Sequence, residues 1–257
     1  MKTVVSAICQ SPAKMPLILS VATPGDLPSL VRAQYTAFHP ADTLHVLIYP
    51  SPDPIPESVF EKTVQRQKAA WKDNVTWVKV TDDETGTVIA GAKWIFFPEA
   101  AKKGDNRWPE TFGVDAVKEM WMEDEVVASG EAAKNAGKGV DDLEYVSFVM
   151  GEFMGRRRDR VQGPAVVLDM CFTHSGWQGK GAGKLLVKWG TEKADELGLK
   201  CFVEASYLGR PLYEKFGFVV SEHVLLNGGK VREEWKEFGE IGYYWMERDL
   251  RAGKGSE

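Results

Sequence analysis

An apolar run leads directly into a glycine-rich loop in the second half of the chain. Residues 164–173 read PAVVLDMCFT, residues 176–184 read GWQGKGAGK, and Leu185-Leu186-Val187 follow at once. The apolar run is typical of a strand that is buried on both faces. The residues after the loop have the spacing of an amphipathic helix, which Gly198 ends. The sequence therefore predicts a strand, a tight loop and a helix in this order.

A loop of this kind exposes the first N–H groups of the helix that follows it. Those groups, together with the helix dipole, favour a bound anion such as a phosphate. The P-loop pattern G-x-x-x-x-G-K-[ST] is excluded because Gln178 occupies the place of its first glycine and Leu185 follows Lys184. The dinucleotide fingerprint G-x-G-x-x-G is excluded as well, because Lys184 or Leu186 occupies the place of its last glycine.

The pattern that fits is Q/R-x-x-G-x-G/A, with Gln178, Gly181 and Gly183 at its fixed positions. Farther along the chain, residues 212–218 read LYEKFGF. These two motifs resemble those of the GCN5-related N-acetyltransferases, the GNAT superfamily, in which the loop holds the pyrophosphate of acetyl-coenzyme A. The resemblance is strongest over residues 164–220. It implies an α/β fold with a mixed, mostly antiparallel central sheet flanked by helices.

The rest of the chain follows the element order of this family. Apolar and β-branched runs predict strands at residues 17–21, 75–80, 87–97, 200–205, 218–220 and 243–246. Amphipathic spacing predicts helices from a cap at Thr23 or Asp26 to about Phe38, over residues 59–72 and over residues 208–216. A turn signal at residues 82–86 joins two of the strands into an antiparallel hairpin.

Residues 98–162 interrupt this order with charged and small residues. We predict a mostly helical insertion before the fourth strand, within one domain that spans residues 1–257 and has its coenzyme A-binding core at residues 164–220. The large side chains of the insertion, which are more typical of core than of a substrate pocket, are Trp108, Phe112, Met120, Trp121 and Met122. Residues 156–160 read RRRDR, and we predict a solvated loop there, with a phosphate contact as the alternative.

The resemblance implies which residues hold the coenzyme. In the family the fourth strand splays from the fifth, and the pantetheine arm pairs with backbone groups that here belong to Met170, Cys171 and Phe172. The pyrophosphate would be bound mainly by backbone N–H groups of the loop, which consists of Gln178, Gly179, Lys180, Gly181, Ala182, Gly183 and Lys184. Many members carry an asparagine where this chain has Ser206, so we expect Ser206 to make a weaker coenzyme contact.

The resemblance also implies a catalytic acid. Tyr213 matches the tyrosine that protonates the departing thiolate in many members, and aromatic packing is its alternative role. Asp169 is our candidate for the general base, with Glu204 as a second candidate, although either could be a structural carboxylate. Cys171 is interpreted as a buried apolar residue without a catalytic role.

Composition excludes several classes of protein. A chain of 257 residues with 44% hydrophobic and 27% charged residues is typical of a folded globular protein. The net charge of −5 argues against sequence-independent binding of nucleic acid. Three widely separated cysteines predict a reducing compartment, and we expect a cytoplasmic location without a membrane span. The histidines and cysteines show no recognised metal-ligand spacing, so no metal is expected.

These observations predict an N-acetyltransferase that moves an acetyl group from acetyl-coenzyme A directly to a primary amine, with a small molecule as the favoured acceptor. Acidic residues of the insertion could favour a cationic amine; they are Glu119, Glu123, Asp124 and Glu125. A protein lysine or N-terminal acetyltransferase, a non-catalytic coenzyme A-binding or regulatory domain, and an interaction scaffold stay open. Residues 204–213 are similar to fungal members of unassigned substrate. The sequence does not indicate an oligomeric state.

Overall fold

A mixed sheet of seven strands forms the centre of the protein. The computed structural model describes residues 17–39, 41–51, 53–102, 107, 114–121 and 143–250. The strands are β1 (Leu17–Val21), β2 (Val75–Asp82), β3 (Val88–Phe97), β4 (Ala165–Thr173), β5 (Lys200–Ala205), β6 (Val219–Asn227) and β7 (Glu240–Arg248). Their order across the sheet is β1-β2-β3-β4-β5-β7-β6.

Neighbouring strands are antiparallel except at one place, where β4 and β5 run parallel. The helix of the glycine loop connects these two strands, as a parallel crossover requires. This sheet and the helices on both faces confirm the predicted fold class. The predicted hairpin is confirmed by the antiparallel pairing of β2 with β3. The last two strands are several residues longer than the sequence predicts.

The helices are α1 (Leu27–Phe38), α2 (Thr43–Ile48), α3 (Glu57–Ala69), α4 (Val114–Trp121), α5 (Leu143–Arg160), α6 (Ala182–Leu197) and α7 (Arg210–Glu214). The Thr23 backbone N–H donates to Asp26 Oδ2 at 2.8 Å in a 3-10 turn (Pro24–Asp26) that leads into α1, whereas Asp26, at the N-cap of α1, makes no side-chain cap hydrogen bond to the helix. Helix α2 was not predicted. Its start is stabilised by Asp42, whose Oδ1 accepts from the His45 backbone N–H at 2.7 Å.

The first half of β4 is buried on both faces, as predicted. Val166 and Leu168 pack in the core on the α6 side of the sheet. Ala165 and Val167 pack on the opposite side, where α5 contributes Val149 and other apolar residues. Because successive side chains of a strand point to opposite faces, this alternation places α6 and α5 on opposite sides of β4.

Helices α4 and α5 lie within the predicted insertion. The predictions for Trp108, Phe112, Met122 and the acids at 123–125 concern residues outside the described ranges, and the side chains of Glu119, Met120 and Trp121 are outside the description too. The prediction of a solvated loop at residues 156–160 is wrong. These residues form the last turn of α5, and only 2% of the Arg157 side chain is exposed. The physical reason is charge pairing: acids on β4, β5 and β6 accept from the arginines of this turn.

Candidate active site

Strands β4 and β5 separate part-way along their length. Their parallel pairing runs from Ala165 opposite Lys200 to Leu168 opposite Val203. Beyond that pair, β4 continues beside β3 to Thr173, whereas the end of β5 stays beside β7. We call the opening between the two strands the fork.

A β-bulge coincides with the start of the fork. Trp94 of β3 lies opposite Leu168, and Lys93 lies opposite Met170, so that Asp169 has no partner across the β3–β4 pair. A bulge bends its strand and increases the local twist. The bulge therefore accounts for the departure of β4 from β5 immediately after Leu168. The apolar run in the sequence gives no sign of it.

The edge of β4 that faces the fork carries backbone groups that no strand in the described part of the chain pairs with. Phe172 is only 3% exposed, and Met170 and Cys171 are half-buried. Backbone N–H and C=O groups in such a place need hydrogen-bond partners. An extended ligand that carries amides, as a pantetheine arm does, would supply them.

The glycine loop lies between the end of β4 and the start of α6. Gly179 and Gly181 have φ values of 76° and 102°, a backbone region that favours glycine. The first N–H groups of α6, including those of Ala182 and Gly183, have no acceptor within the helix because of their position. The loop therefore aims donors and the positive end of the helix dipole at one place.

Side chains of the loop hold its shape. The Gln178 amide donates from Nε2 to the backbone oxygen of Thr173 at 3.3 Å, which ties the loop to the end of β4. The Lys180 ammonium lies 4.5 Å from the centre of the Trp177 ring. A cation over an aromatic face is held electrostatically, so Lys180 adds positive charge at a defined position.

Tyr213 is buried in α7, with its ring 5.9 Å from that of Phe218. Its hydroxyl lies near the thiol of Cys171, a residue of β4 beyond the start of the fork. Burial raises the pKa of Tyr213 well above 10.0, so the phenol stays protonated at neutral pH. The structure thus brings a protonated phenol from the β5–α7 side to the fork.

Cys171 and Ser206 have clear local roles. Burial raises the pKa of the Cys171 thiol to about 12, which keeps it from acting as a thiolate nucleophile at neutral pH. The Ser206 hydroxyl oxygen accepts from the Gly209 backbone N–H at 3.1 Å and so stabilises the turn before α7. The predicted coenzyme contact of Ser206 stays a prediction.

Asp169 and Glu204 both form ion pairs with cationic side chains. Arg157 donates from Nη1 to Asp169 at 2.6 Å, and from Nε and Nη2 to the two oxygens of Glu204 at 2.7 and 2.9 Å. Lys93 Nζ lies 3.0 Å from the other oxygen of Asp169. Burial alone would raise the pKa of Asp169, but Lys93 and Arg157 lower it well below its usual range. Such a carboxylate is a poor proton acceptor, so the structure argues against the predicted role of Asp169 as general base.

Arg157 and Lys93 were not predicted as site residues. A signal for Arg157 was present in the sequence: it follows Val149 and Phe153 at steps of four residues, which places all three on one face of a helix. Lys93 had no comparable signal, because its role depends on the bulge opposite it.

The comparisons with known proteins agree with this geometry. A family model described as "Acetyltransferase (GNAT) domain" matches residues 109–230, which include β4, the glycine loop, α6, β5 and α7. The chain contains a GNAT acetyltransferase domain. No significant sequence match was found among curated proteins.

Solved structures of low sequence identity share the fold of this protein. An arylalkylamine N-acetyltransferase 2 from Aedes aegypti is 10% identical, with a TM-score of 0.58, over 91% of this chain and 99% of that one. A histone acetyltransferase HPA2 and related acetyltransferase from Corynebacterium glutamicum is 18% identical, with a TM-score of 0.54, over 93% and 99%. An agmatine N-acetyltransferase mutant is 11% identical, with a TM-score of 0.53, over 91% and 99%.

The GNAT domain therefore gathers at the fork the predicted residues of β4, the glycine loop and Tyr213. Among the described residues, no group of three or more His, Cys, Asp or Glu side chains is placed to hold a metal ion. None of the helices in the described ranges is long and apolar enough to cross a membrane.

Proposed function

We propose that this GNAT protein transfers an acetyl group from acetyl-coenzyme A directly to a primary amine of a small molecule. The observation that carries the proposal is the position of the open β4 edge, which ends in the glycine loop and has the Tyr213 hydroxyl beside it. An extended ligand with amides in its arm and a pyrophosphate at one end matches both features. Acetyl-coenzyme A supplies an activated thioester.

Different residues of the chain bind different parts of the coenzyme. Backbone groups of Met170, Cys171 and Phe172 pair with the arm, and N–H groups of residues 178–184 receive the pyrophosphate. Lys180 and Lys184 add positive charge there. Positioning of this kind supplies much of the rate when the acyl group is already activated.

Tyr213 donates the proton that the departing sulfur requires. Its raised pKa keeps the proton on the phenol until the sulfur develops negative charge. The proton of the acceptor amine leaves through solvent in this proposal, because the carboxylates of Asp169 and Glu204 are held by Arg157.

A small amine is the acceptor that we favour. Two of the structures with the same fold are named for small amines, an arylalkylamine and agmatine. A protein lysine or N-terminus is the competing acceptor. Thiol release measured with arylalkylamines, polyamines and lysine peptides, in parallel, would distinguish the two classes.

The first test is calorimetric titration of acetyl-coenzyme A into the wild-type protein and into Gly181→Glu. The new carboxylate would block and repel the pyrophosphate, so we expect the wild type to bind and the variant to lose binding. Gly198→Glu is the matched control: Gly198 also has a positive φ and open space around it, but it ends the same helix about 24 Å away, at about 1.5 Å per residue.

We expect Gly198→Glu to bind as the wild type does. Equal losses in both variants would point to damage of the fold rather than to a pyrophosphate site. A wild-type protein that shows no heat of binding and no protection against thermal unfolding would refute the proposed donor.

A further inference from the structure

The fork begins between two acidic residues. The last paired positions are Leu168 on β4 and Val203 on β5. Asp169 follows on β4, and Glu204 follows on β5. Two carboxylates on adjacent strands repel each other and would drive the strands apart without a cation between them. At the opening of the sheet, the charges of these side chains therefore act directly on the distance between β4 and β5.

One guanidinium spans the two acids. Arg157 comes from α5, on the face of the sheet opposite α6, and contacts Asp169 through Nη1 at 2.6 Å. Its other two nitrogens form a bidentate pair with Glu204 at 2.7 and 2.9 Å. The planar guanidinium fixes both the distance and the angle between the groups that it binds.

Lys93 holds the same acid from the other side. Its ammonium lies 3.0 Å from the second oxygen of Asp169, so the bulged residue is fixed from β3 as well as from α5. The formal charges of Lys93, Arg157, Asp169 and Glu204 sum to zero. Each of the four side chains has less than 20% of its surface exposed.

Stability alone is a weak explanation for this arrangement. Taking ions out of water costs free energy, and well-packed apolar residues of similar volume often stabilise a fold as well or better. A buried ionic cluster is instead suited to define one geometry. Here the defined geometry is that of the two strands at the point where they part.

We infer that Arg157 is a positioning residue, which acts as a clamp across the fork and sets the width of the opening that receives the pantetheine arm. This inference rests on the proposed function. Arg157 does not touch the reacting atoms in it; it acts through Asp169 on β4 and Glu204 on β5. A wider or narrower fork would misplace the thioester relative to Tyr213.

The test compares Arg157→Lys with Arg160→Met. Lysine keeps the positive charge but cannot bind both acids with fixed geometry. Arg160 lies in the same helical turn but contacts Glu222 and Ser221 of β6 and Glu247 of β7 instead of the fork. We expect kcat/KM for acetyl-coenzyme A to fall about 100-fold in Arg157→Lys, the order of loss that a displacement of about 1 Å causes. Arg160→Met should retain the wild-type value, and the KM for the amine should change little in either.

A second variant separates geometry from charge balance. The double change Arg157→Met and Glu204→Gln removes one charge of each sign and leaves Asp169 paired with Lys93, so no buried ion is left unpaired. We expect it to fold, with near-wild-type far-ultraviolet dichroism, and to show the same loss of kcat/KM. Wild-type kinetics in the double variant or in Arg157→Lys, whatever their thermal stability, would overturn the clamp and leave the cluster a purely structural role.

The wild-type titration keeps the two proposals apart. Wild-type binding of acetyl-coenzyme A together with unaltered Arg157→Lys kinetics refutes the clamp alone. A wild type that does not bind acetyl-coenzyme A refutes the proposed function, and the clamp with it.

Discussion

At the scale of single residues, the hydroxyl of Tyr213 is the group whose removal is most informative. Tyr213→Phe keeps the ring against Phe218 and removes only the hydroxyl oxygen, which lies near the Cys171 thiol. We expect kcat to fall about 100-fold, the lower end of the usual contribution of a general acid, with the Kd for acetyl-coenzyme A unchanged. Steady-state kinetics with the best acceptor amine and calorimetric titration measure the two quantities.

Tyr207→Phe is the control for this change. The Tyr207 hydroxyl contacts His223 at 2.8 Å, and its side chain is about half exposed. The control should keep wild-type kcat. If Tyr213→Phe also does so, the residue is a packing aromatic and the proton comes from elsewhere.

At the scale of elements, the contact between α6 and the sheet decides where the glycine loop lies. A Cβ atom at position 190 would lie 2.1 Å from two atoms of the Trp94 ring, which is fully buried. The helix can approach the sheet so closely only because residue 190 is glycine. Gly190→Ala should therefore lower the free energy of unfolding by about 1–3 kcal/mol, although alanine is the better helix former.

Gly151→Ala gives the opposite sign in the same assay. Gly151 lies within α5, and a Cβ there would have no neighbour within 4 Å. We expect a gain of about 0.5–1 kcal/mol from helix propensity alone. Urea denaturation of the two variants beside the wild type measures both changes. Equal effects would show that packing at Trp94 does not determine the change in the free energy of unfolding.

At the scale of the whole molecule, stability should depend on pH through a buried histidine. Burial lowers the pKa of His45 to about 3 from 6.5, so the folded protein keeps this imidazole neutral where the unfolded chain protonates it. The corresponding stability is present above pH 6.5 and is lost as the pH falls toward 3. Between pH 6.5 and pH 5, we expect a loss of about 2 kcal/mol.

Urea midpoints at a series of pH values measure this loss, with His45→Gln as the comparison. Glutamine can still bond with Gln34, whose side-chain nitrogen lies 3.1 Å from His45 Nε2. The variant should show a much flatter profile over the same range. A slope as steep as that of the wild type would assign the effect to other groups. Asp169 contributes to the pH dependence of stability only below its ordinary pKa of 3.8, because its pKa in the folded protein is lower still.

The sequence alone determined the features that depend on neighbours along the chain. The strand at residues 165–173, the glycine loop, the helix that Gly198 ends and the short helix with Tyr213 are local patterns, and each was predicted. Helix α2 was missed because its six residues carry too short a pattern. The predicted coenzyme contacts stay predictions.

The tertiary structure decided which residues face each other across the strands of the sheet. The bulge at Asp169 exists only in the pairing of β4 with β3, and the fork exists only where β4 leaves β5, which stays paired with β7. Asp169 has the sequence position of a candidate base, yet the charges of Lys93 and Arg157 give it a different role. Interactions between residues far apart in sequence set its ionisation, because electrostatic energy depends on distance in space and on burial, which a local pattern does not encode.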